Sequence, residues 1–199
     1  GAAHEDAFLD DYAFLATGLL DLYEATFDLP WLRAAIELHE TLARDFWDAE
    51  HGAFFLTDTA REVTLARTKP GDDGALPSGN AVAIEGLLRL AELTGDDRWR
   101  VRADRALQAL APQVERAPAL LAALDFRLDR PKEIVIVRPT VTDEGGAALL
   151  ATVRAVYLPN HVLTVATEGA ELDRQTELIP LVGGKEAIDG VATAYVCEQ

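Results

Sequence analysis

Residues 18–31 read GLLDLYEATFDLPW, and residues 86–99 read GLLRLAELTGDDRW. The two stretches share glycine, leucine, glutamate, threonine, aspartate and tryptophan at matching positions, with an offset of 68 residues. Each copy has the leucine spacing of a helix, followed by a short turn and the start of a second helix. A repeated helical hairpin predicts that neighbouring hairpins bury each other's apolar faces and that equivalent helix ends point the same way.

Helical periodicity and breaker residues extend this pattern over the first two thirds of the chain. They predict helices at residues 7–26, 30–47, 78–94, 97–114 and 118–126. Ser78 is expected to cap the third of these helices, and Gly95 is expected to end it. Two β-rich segments, residues 52–57 and 62–65, flank a polar turn and predict a β-hairpin. The breakers in residues 69–74 predict a loop.

The pattern changes near residue 130. Residues 133–137 and 161–165 are short and β-branched, and a helical pattern at 143–156 separates them. A strand, helix and strand in this order predict a parallel pair joined by a right-handed crossover, and residues 193–197 predict a third strand. We therefore expect a mainly α chain: α/α-hairpin repeats over residues 1–130, then a small α/β subdomain over residues 131–199.

Composition limits the classes of partner. The chain carries 34 acidic against 18 basic residues, a net charge of −16, which repels nucleic acid and anionic membrane surfaces. No apolar run approaches the length of a membrane span, and the first residues lack the features of a signal peptide. Cys197 is the only cysteine, which rules out an intrachain disulfide and a cysteine-rich zinc site. We expect a cytoplasmic protein without metal, cofactor, nucleic-acid partner or membrane partner.

The helix starts are the candidate site. In the repeat, the segment LDDYA around Asp10 and Asp11 corresponds to PSGNA around Ser78 and Asn80, so both helix starts should project toward one end. Free N–H groups and positive dipole ends at such starts suit hydroxyl-rich or anionic ligands. We predict Asp10 and Asp11 as catalytic residues. The predicted substrate-binding residues are Tyr12, Lys69, Asp73, Ser78 and Asn80.

Helix capping also accounts for the presence of these residues at the helix starts, because Asp, Ser and Asn are the preferred capping residues. The repeat alone leaves both interpretations open, although two adjacent carboxylates exceed what one cap requires. The four histidines show no ligand spacing and are interpreted as structural or exposed. They are His4, His39, His51 and His161.

Several motifs together resemble the C-terminal part of the spermatogenesis-associated protein 20 / YyaL family of thioredoxin-domain-containing proteins. They are LDDYAF at 9–14, GLLDLYEAT at 18–26, FWD at 46–48, DGALPSGN at 73–80 and TAYVC at 193–197. The resemblance implies an (α/α)6 toroid related to the N-acylglucosamine 2-epimerase and six-hairpin glycosidase-like folds. In such toroids the N-terminal ends of the inner helices surround the sugar site. A thioredoxin-like domain would precede the toroid in the full protein.

The chain departs from the family in three respects. It holds about two hairpins of six, Pro70 stands where the family has a glutamate, and the family's second cysteine lies beyond the segment. We therefore expect a fragment that exposes apolar faces and self-associates.

The leading functional hypothesis is a carbohydrate-binding toroid that epimerises or isomerises a sugar by proton transfer next to a carbonyl. Asp10 and Asp11 would supply the base or bind hydroxyl groups, Tyr12 and Asn80 would hydrogen-bond the sugar, and Lys69 would favour an anionic group. The first alternative is a non-catalytic scaffold or client-binding module that serves the thioredoxin-like domain. The second is glycoside hydrolysis, with Asp10 or Asp11 as one of two carboxylates.

Overall fold

Two helical hairpins correspond to the two copies of the sequence repeat in the computed structural model, which describes residues 7–60 and 66–198. Their helices are α1 (Leu9–Thr26), α2 (Leu29–Asp45), α3 (Gly79–Thr94) and α4 (Asp97–Leu110). The predicted helices are confirmed, except that the fourth ends earlier than expected. Proline at the second position of the following 3-10 segment, Ala111–Arg116, cannot donate the hydrogen bond that would continue the helix.

Both hairpins turn through the same backbone geometry. Phe27 and Gly95 occupy equivalent repeat positions, and each ends its helix in the left-handed conformation, with φ at 64°. The hydroxyl groups of Thr26 and Thr94 donate to the carbonyl four residues earlier, at 2.9 and 2.7 Å. Each hydroxyl also accepts from the backbone N–H two residues later, at 3.3 Å. The threonine matches of the repeat therefore specify a common turn.

Helices α1 and α3 lie side by side and point the same way, as the repeat predicts. Asp21 and Arg89, which occupy the same repeat position, form an ion pair at 2.7 Å along the shared length. At the start of the helices, Asp10 lies against Gly79. Contacts at both places fix the parallel arrangement and bring the two helix starts together.

Helix α3 is the centre of the chain, and 14 of its 16 residues are buried. It contacts α1, α2, α4 and a fifth helix, α5 (Pro118–Leu128). This explains why its sequence is apolar around its circumference, whereas α2 and α4 have one apolar and one charged face.

A small α/β unit follows α5. Its elements are β1 (Lys132–Arg138), α6 (Glu144–Arg154), β2 (His161–Thr167), α7 (Ala170–Leu178) and β3 (Thr193–Glu198), with 3-10 turns at Pro180–Val182 and Ile188–Gly190. The strand order is β2-β1-β3, with β1 and β2 parallel and β3 antiparallel to β1. The three predicted strands are confirmed. Helix α7 was not predicted, because most of its residues are polar and only two are leucine.

Strands β1 and β2 are buried on both faces of the sheet, whereas most of β3 is exposed. On one face, the sheet residues pack into the same apolar core as the helical hairpins. These sheet residues are Val135, Val137, Val162 and Ala166. The opposite face, with Ile134, Ile136, Leu163 and Val165, is covered by α6. A buried polar contact joins the two parts, since the Tyr23 hydroxyl lies 2.6 Å from the Thr164 hydroxyl and Gln175 donates to Thr164 at 2.7 Å.

The predicted hairpin at 52–57 and 62–65 is corrected in its first half, and its second half lies outside the described residues. Residues 52–57 form no strand, and Phe54 makes a single bridge to Trp47. Gly52 and Ala53 have φ values of 78° and 65°, which interrupt an extended backbone. The backbone groups of Phe54 bind the side chain of Asn80 instead of a partner strand.

A substitution at Gly86 would test how closely the two hairpins pack. A β-carbon at Gly86 would lie 2.3 Å from Nε2 of His39 on α2, whereas a β-carbon at the equivalent Gly18 would meet no atom within 4 Å. We expect Gly86→Ala to lower the free energy of unfolding by about 1–3 kcal/mol through overpacking. Gly18→Ala is the matched control and should raise it by about 0.5–1 kcal/mol through helix propensity.

Urea unfolding of both variants at neutral pH would measure these effects. Equal changes in the two variants would show that the close approach of α2 to α3 does not limit this position.

Candidate functional site

The starts of α1 and α3 meet at one end of the hairpins, and Asp10 lies between them. The backbone N–H of Gly79, at the start of α3, donates to the Asp10 carboxylate. Burial against α3 raises the pKa of Asp10, the hydrogen bond from Gly79 opposes this shift, and the neighbouring Asp11 adds to it. Asp10 therefore belongs to α1 in sequence but caps α3 in space.

Asp11 has a different partner. Its Oδ2 atom accepts a hydrogen bond from the backbone N–H of Phe8 at 2.7 Å, which is the capping geometry expected three residues into a helix. The adjacent Tyr12 is half-buried, and its ring lies 5.3 Å from that of Phe46. The two predicted catalytic carboxylates thus face different partners instead of forming a pair.

Asn80 is buried and joins three segments of backbone. Its Oδ1 atom accepts from the N–H of Phe54 at 2.8 Å, and its Nδ2 atom donates to the carbonyls of Phe54 and Pro70 at 2.9 and 2.8 Å. Both N–H groups of the amide are therefore used within the chain. This arrangement holds the loop before α3 against the segment around Phe54.

Asp73 joins two helix starts. Its Oδ1 atom accepts from the N–H of Ser78 at 2.9 Å, and its Oδ2 atom accepts from the N–H of Ala119, in the first turn of α5, at 2.7 Å. The hydroxyl of Ser78 in turn accepts from the N–H of Ala81 at 3.2 Å, which confirms Ser78 as the N-cap of α3. The loop before α3 is therefore held by the charge-assisted hydrogen bonds of Asp73 and the neutral cap of Ser78.

Lys69 forms an ion pair that the sequence analysis missed. Its Nζ atom lies 2.5 Å from Oδ2 of Asp48 and donates to the carbonyl of Gly52 at 2.7 Å. The Lys69 ammonium holds the pKa of Asp48 well below its usual range. The motif FWD at residues 46–48 was the sequence signal for Asp48, and no spacing rule connects residues 48 and 69.

Four of the predicted residues form one region around the start of α3, whereas Asp11 binds the N–H of Phe8 and Tyr12 packs against Phe46. Asp10, Asp73, Ser78 and Asn80 meet there, and Lys69 holds the adjoining segment at Asp48. Five clefts of 230 to 510 Å³ on the described surface are lined by other residues. The region is an end surface in which the exposed Asp10 carboxylate lies over the start of α3 and accepts from the Gly79 N–H.

Among the described residues, no three histidine, cysteine, aspartate or glutamate side chains converge in a way that could hold a metal ion. Of the helices described, none has both the length and the apolar character needed to cross a membrane.

His39 is buried and lies away from the helix starts. Its Nδ1 atom is 2.9 Å from the carbonyl of Ala35, and its ring packs edge-on against Trp99 at 6.3 Å. Burial lowers the pKa of His39 to about 4, with Arg89 and Arg102 adding to this shift. The interpretation of His39 as structural agrees with this environment.

The buried neutral imidazole gives a pH dependence of stability. Below its ordinary pKa of 6.5 the unfolded chain binds a proton at His39, whereas the folded chain does not until about pH 4. The free energy of unfolding should therefore fall as pH falls, by about 1.5 kcal/mol from pH 6.5 to 5 for this group. Urea unfolding of the parent and of His39→Gln would isolate the contribution.

The fall in the free energy of unfolding between pH 6.5 and 5 should be smaller in His39→Gln than in the parent, which serves as the control. A His39 ring that titrates near pH 6.5 in the folded state by NMR would contradict the assignment.

Asn80→Asp tests the junction around the start of α3. The change removes both amide donors and places a carboxylate oxygen against the carbonyls of Phe54 and Pro70. The expected loss is about 1–3 kcal/mol in the free energy of unfolding, from groups left buried without partners. Asp72→Asn, in the exposed part of the same loop, should change it by less than about 0.5 kcal/mol. Similar losses in both variants would contradict this role for Asn80.

Comparison with known proteins gives a relative over nearly the whole chain. No protein-family model matches. Spermatogenesis-associated protein 20 from Homo sapiens is 36% identical over 196 residues, which are 96% of this chain and 25% of that protein. The proteins of the same name from Rattus norvegicus and Mus musculus are 36% and 35% identical over 197 residues.

This chain spans about a quarter of the length of these curated relatives. The match is consistent with a C-terminal part of the longer proteins. With more than a third of the residues identical over almost its entire length, the chain is similar to the C-terminal part of spermatogenesis-associated protein 20.

Proposed function

We propose that this chain contributes part of the carbohydrate-binding end of an (α/α) toroid that acts on a sugar as an epimerase or isomerase. The two parallel helix starts support the proposal, because their positive dipole ends meet at one end of the hairpins. Such an end suits a polyhydroxylated ligand and an anionic intermediate that forms on it. The proposal concerns the full-length protein, of which these residues are one segment.

The position of Asp10 carries the proposal. Its carboxylate lies over the start of α3 and has a raised pKa, so the group is closer than an ordinary aspartate to the range in which it exchanges protons near neutral pH. In an isomerisation, such a carboxylate removes the proton from the carbon next to a carbonyl, and an enediolate forms. The positive dipole end of α3 would stabilise the developing negative charge.

A second acid–base group is needed to return the proton or to protonate the enediolate oxygen. None of the three described histidines supplies it at this end: His39 is buried between α2 and α3, His51 is bonded to the turn at Asp48, and His161 starts β2. The proposal therefore requires a contribution from another part of the full-length protein.

The alternative proposal is a non-catalytic module that serves a thioredoxin-like domain. It is favoured by the internal hydrogen bonds of the candidate residues, since Asn80, Asp73 and Lys69 all bind groups of this chain. In this alternative the polar cluster exists to cap buried helix starts. Glycoside hydrolysis ranks third, because Asp11 faces its own helix start and provides no opposed carboxylate.

Deuterium wash-in at C2 of candidate sugars would test the leading proposal. The full-length protein is incubated in heavy water with aldoses, ketoses and N-acyl sugars, and exchange is followed by proton NMR. We expect exchange with at least one sugar, and Asp10→Asn should slow it by about 100-fold or more, the usual contribution of a general base. Asparagine retains an acceptor for the Gly79 N–H, so folding should be preserved.

Asp28→Asn is the matched control, because Asp28 is an exposed aspartate at the opposite end of the first hairpin. Exchange that is equally fast in the Asp10 variant and in the control would remove Asp10 from the mechanism. An absence of exchange and of ligand-induced shifts across the panel would favour the non-catalytic module.

A further inference from the structure

Helix α4 presents a row of arginines beside Trp47, and a cleft of about 400 Å³ opens between them. One aromatic, one aliphatic, one acidic and three basic side chains line it: Trp47, Val101, Asp97, Arg98, Arg102 and Arg105. The arginines recur at intervals of four and three residues, so they share one face of the helix. Like charges at this spacing repel one another, which destabilises the helix unless a negative group lies against them.

The repeat does not account for these arginines. Their counterparts 68 residues earlier on α2 are Pro30, Ala34 and Glu37, and none of the three is basic. The helical hairpin therefore forms without a basic row at these positions. Acidic residues outnumber basic ones by 34 to 18 in this chain, so arginines that lack a carboxylate partner are unexpected on its surface.

The carboxylates near the cleft bind other arginines. Arg98 donates to the capping residue of its own helix, Asp96, at 2.6 Å, and it lies 3.5 Å from Glu40 on α2. Asp97 pairs with Arg100 at 3.0 Å. The acidic residue of the cleft is therefore already paired.

Arg102 and Arg105 have no carboxylate partner among the described residues. Arg105 donates to the backbone carbonyl of Ala49 at 2.7 Å. The Arg102 guanidinium lies 5.7 and 5.8 Å from the ring centres of Trp47 and Trp99. Its Nη1 atom is shielded from solvent and has no hydrogen-bond acceptor. A charged donor left in this state costs free energy, which an acceptor entering the cleft would recover.

The pKa of Arg102 reflects the same imbalance of charge. Burial lowers this pKa, the carboxylates of Glu40 and Asp96 oppose the shift, and the guanidinium groups of Arg98 and Arg105 add to it. An anion in the cleft would offset both the burial of the charge and its repulsion by the neighbouring arginines.

We propose that this cleft binds the phosphate group of a small phosphate monoester. Arginine donates to phosphate through two parallel N–H groups, so Arg102 and Arg105 would each hold phosphate oxygens. A monoester offers three such oxygens, one more than a carboxylate, which suits donors from two side chains. Exposed side chains change rotamer within nanoseconds, so Arg105 and Val101 can move aside to give the phosphate access to Nη1 of Arg102.

The apolar wall of the cleft would contact the rest of the ester. Val101 is 58% exposed, and the Trp47 ring lies beside it. The cleft shares no residue with the region around the start of α3. The inference therefore does not rest on the proposed function, and either can fail alone.

Isothermal titration calorimetry of the full-length protein with inorganic phosphate and with phenyl phosphate would test this proposal. Both ligands should bind near neutral pH at low ionic strength, and phenyl phosphate should bind more tightly because its ring contacts Trp47 and Val101. Arg102→Gln and Arg105→Gln should each weaken phenyl phosphate binding by about 10- to 100-fold. Arg105 is exposed, so its variant remains informative if Arg102→Gln, which loses ring contacts, fails to fold.

Arg174→Gln is the matched control, because it removes the same charge from an exposed position on α7 and should leave the affinity unchanged. Affinities equal to that of the parent in both cleft variants would overturn the proposal. An absence of binding by the parent at about 10 mM phenyl phosphate would also overturn it. Benzoate that binds as tightly as phenyl phosphate would refute the assignment of a phosphate group.

Discussion

The burial of α3 on all sides is the constraint on which the rest of this structure depends. A helix in this position excludes water from nearly every residue, and its backbone hydrogen bonds and apolar side chains are protected together. The neighbouring helices need only one apolar face each, which explains the charged outer surfaces of α2 and α4. The small sheet adds to the same core through Val135 and Val162.

A buried helix also has a buried start, and this explains the polar cluster at its N-terminus. The first N–H groups of a helix have no partners within it, and leaving them unsatisfied away from water costs free energy. Asp10 accepts from Gly79, Ser78 accepts from Ala81, and Asp73 accepts from Ser78. The same three acceptors were candidate site residues, so structural capping and ligand binding draw on one set of groups. Asp10 differs from the others because its residue remains exposed and its pKa is raised.

The two copies of the repeat have diverged according to their surroundings. Phe27 and Gly95 both have a left-handed backbone conformation, which glycine adopts without steric strain. The Phe27 ring packs against Tyr23, a contact that glycine cannot make. Trp99 is buried beside His39, whereas its counterpart Trp31 is more than a third exposed. A repeat in sequence therefore sets the backbone path, while the burial of each position depends on which neighbours the copy has.

The sequence by itself determined the repeated hairpins, the Ser78 cap, the Gly95 stop and the parallel strands. These features depend on local periodicity and on the backbone preferences of single residues, which act within a few positions of the chain. Only the tertiary structure decided that Asp10 caps α3, that Lys69 pairs with Asp48, and that residues 52–57 bind Asn80 instead of forming a strand. Each of these depends on groups brought together from distant positions, whose hydrogen bonds become specific once water is excluded between them.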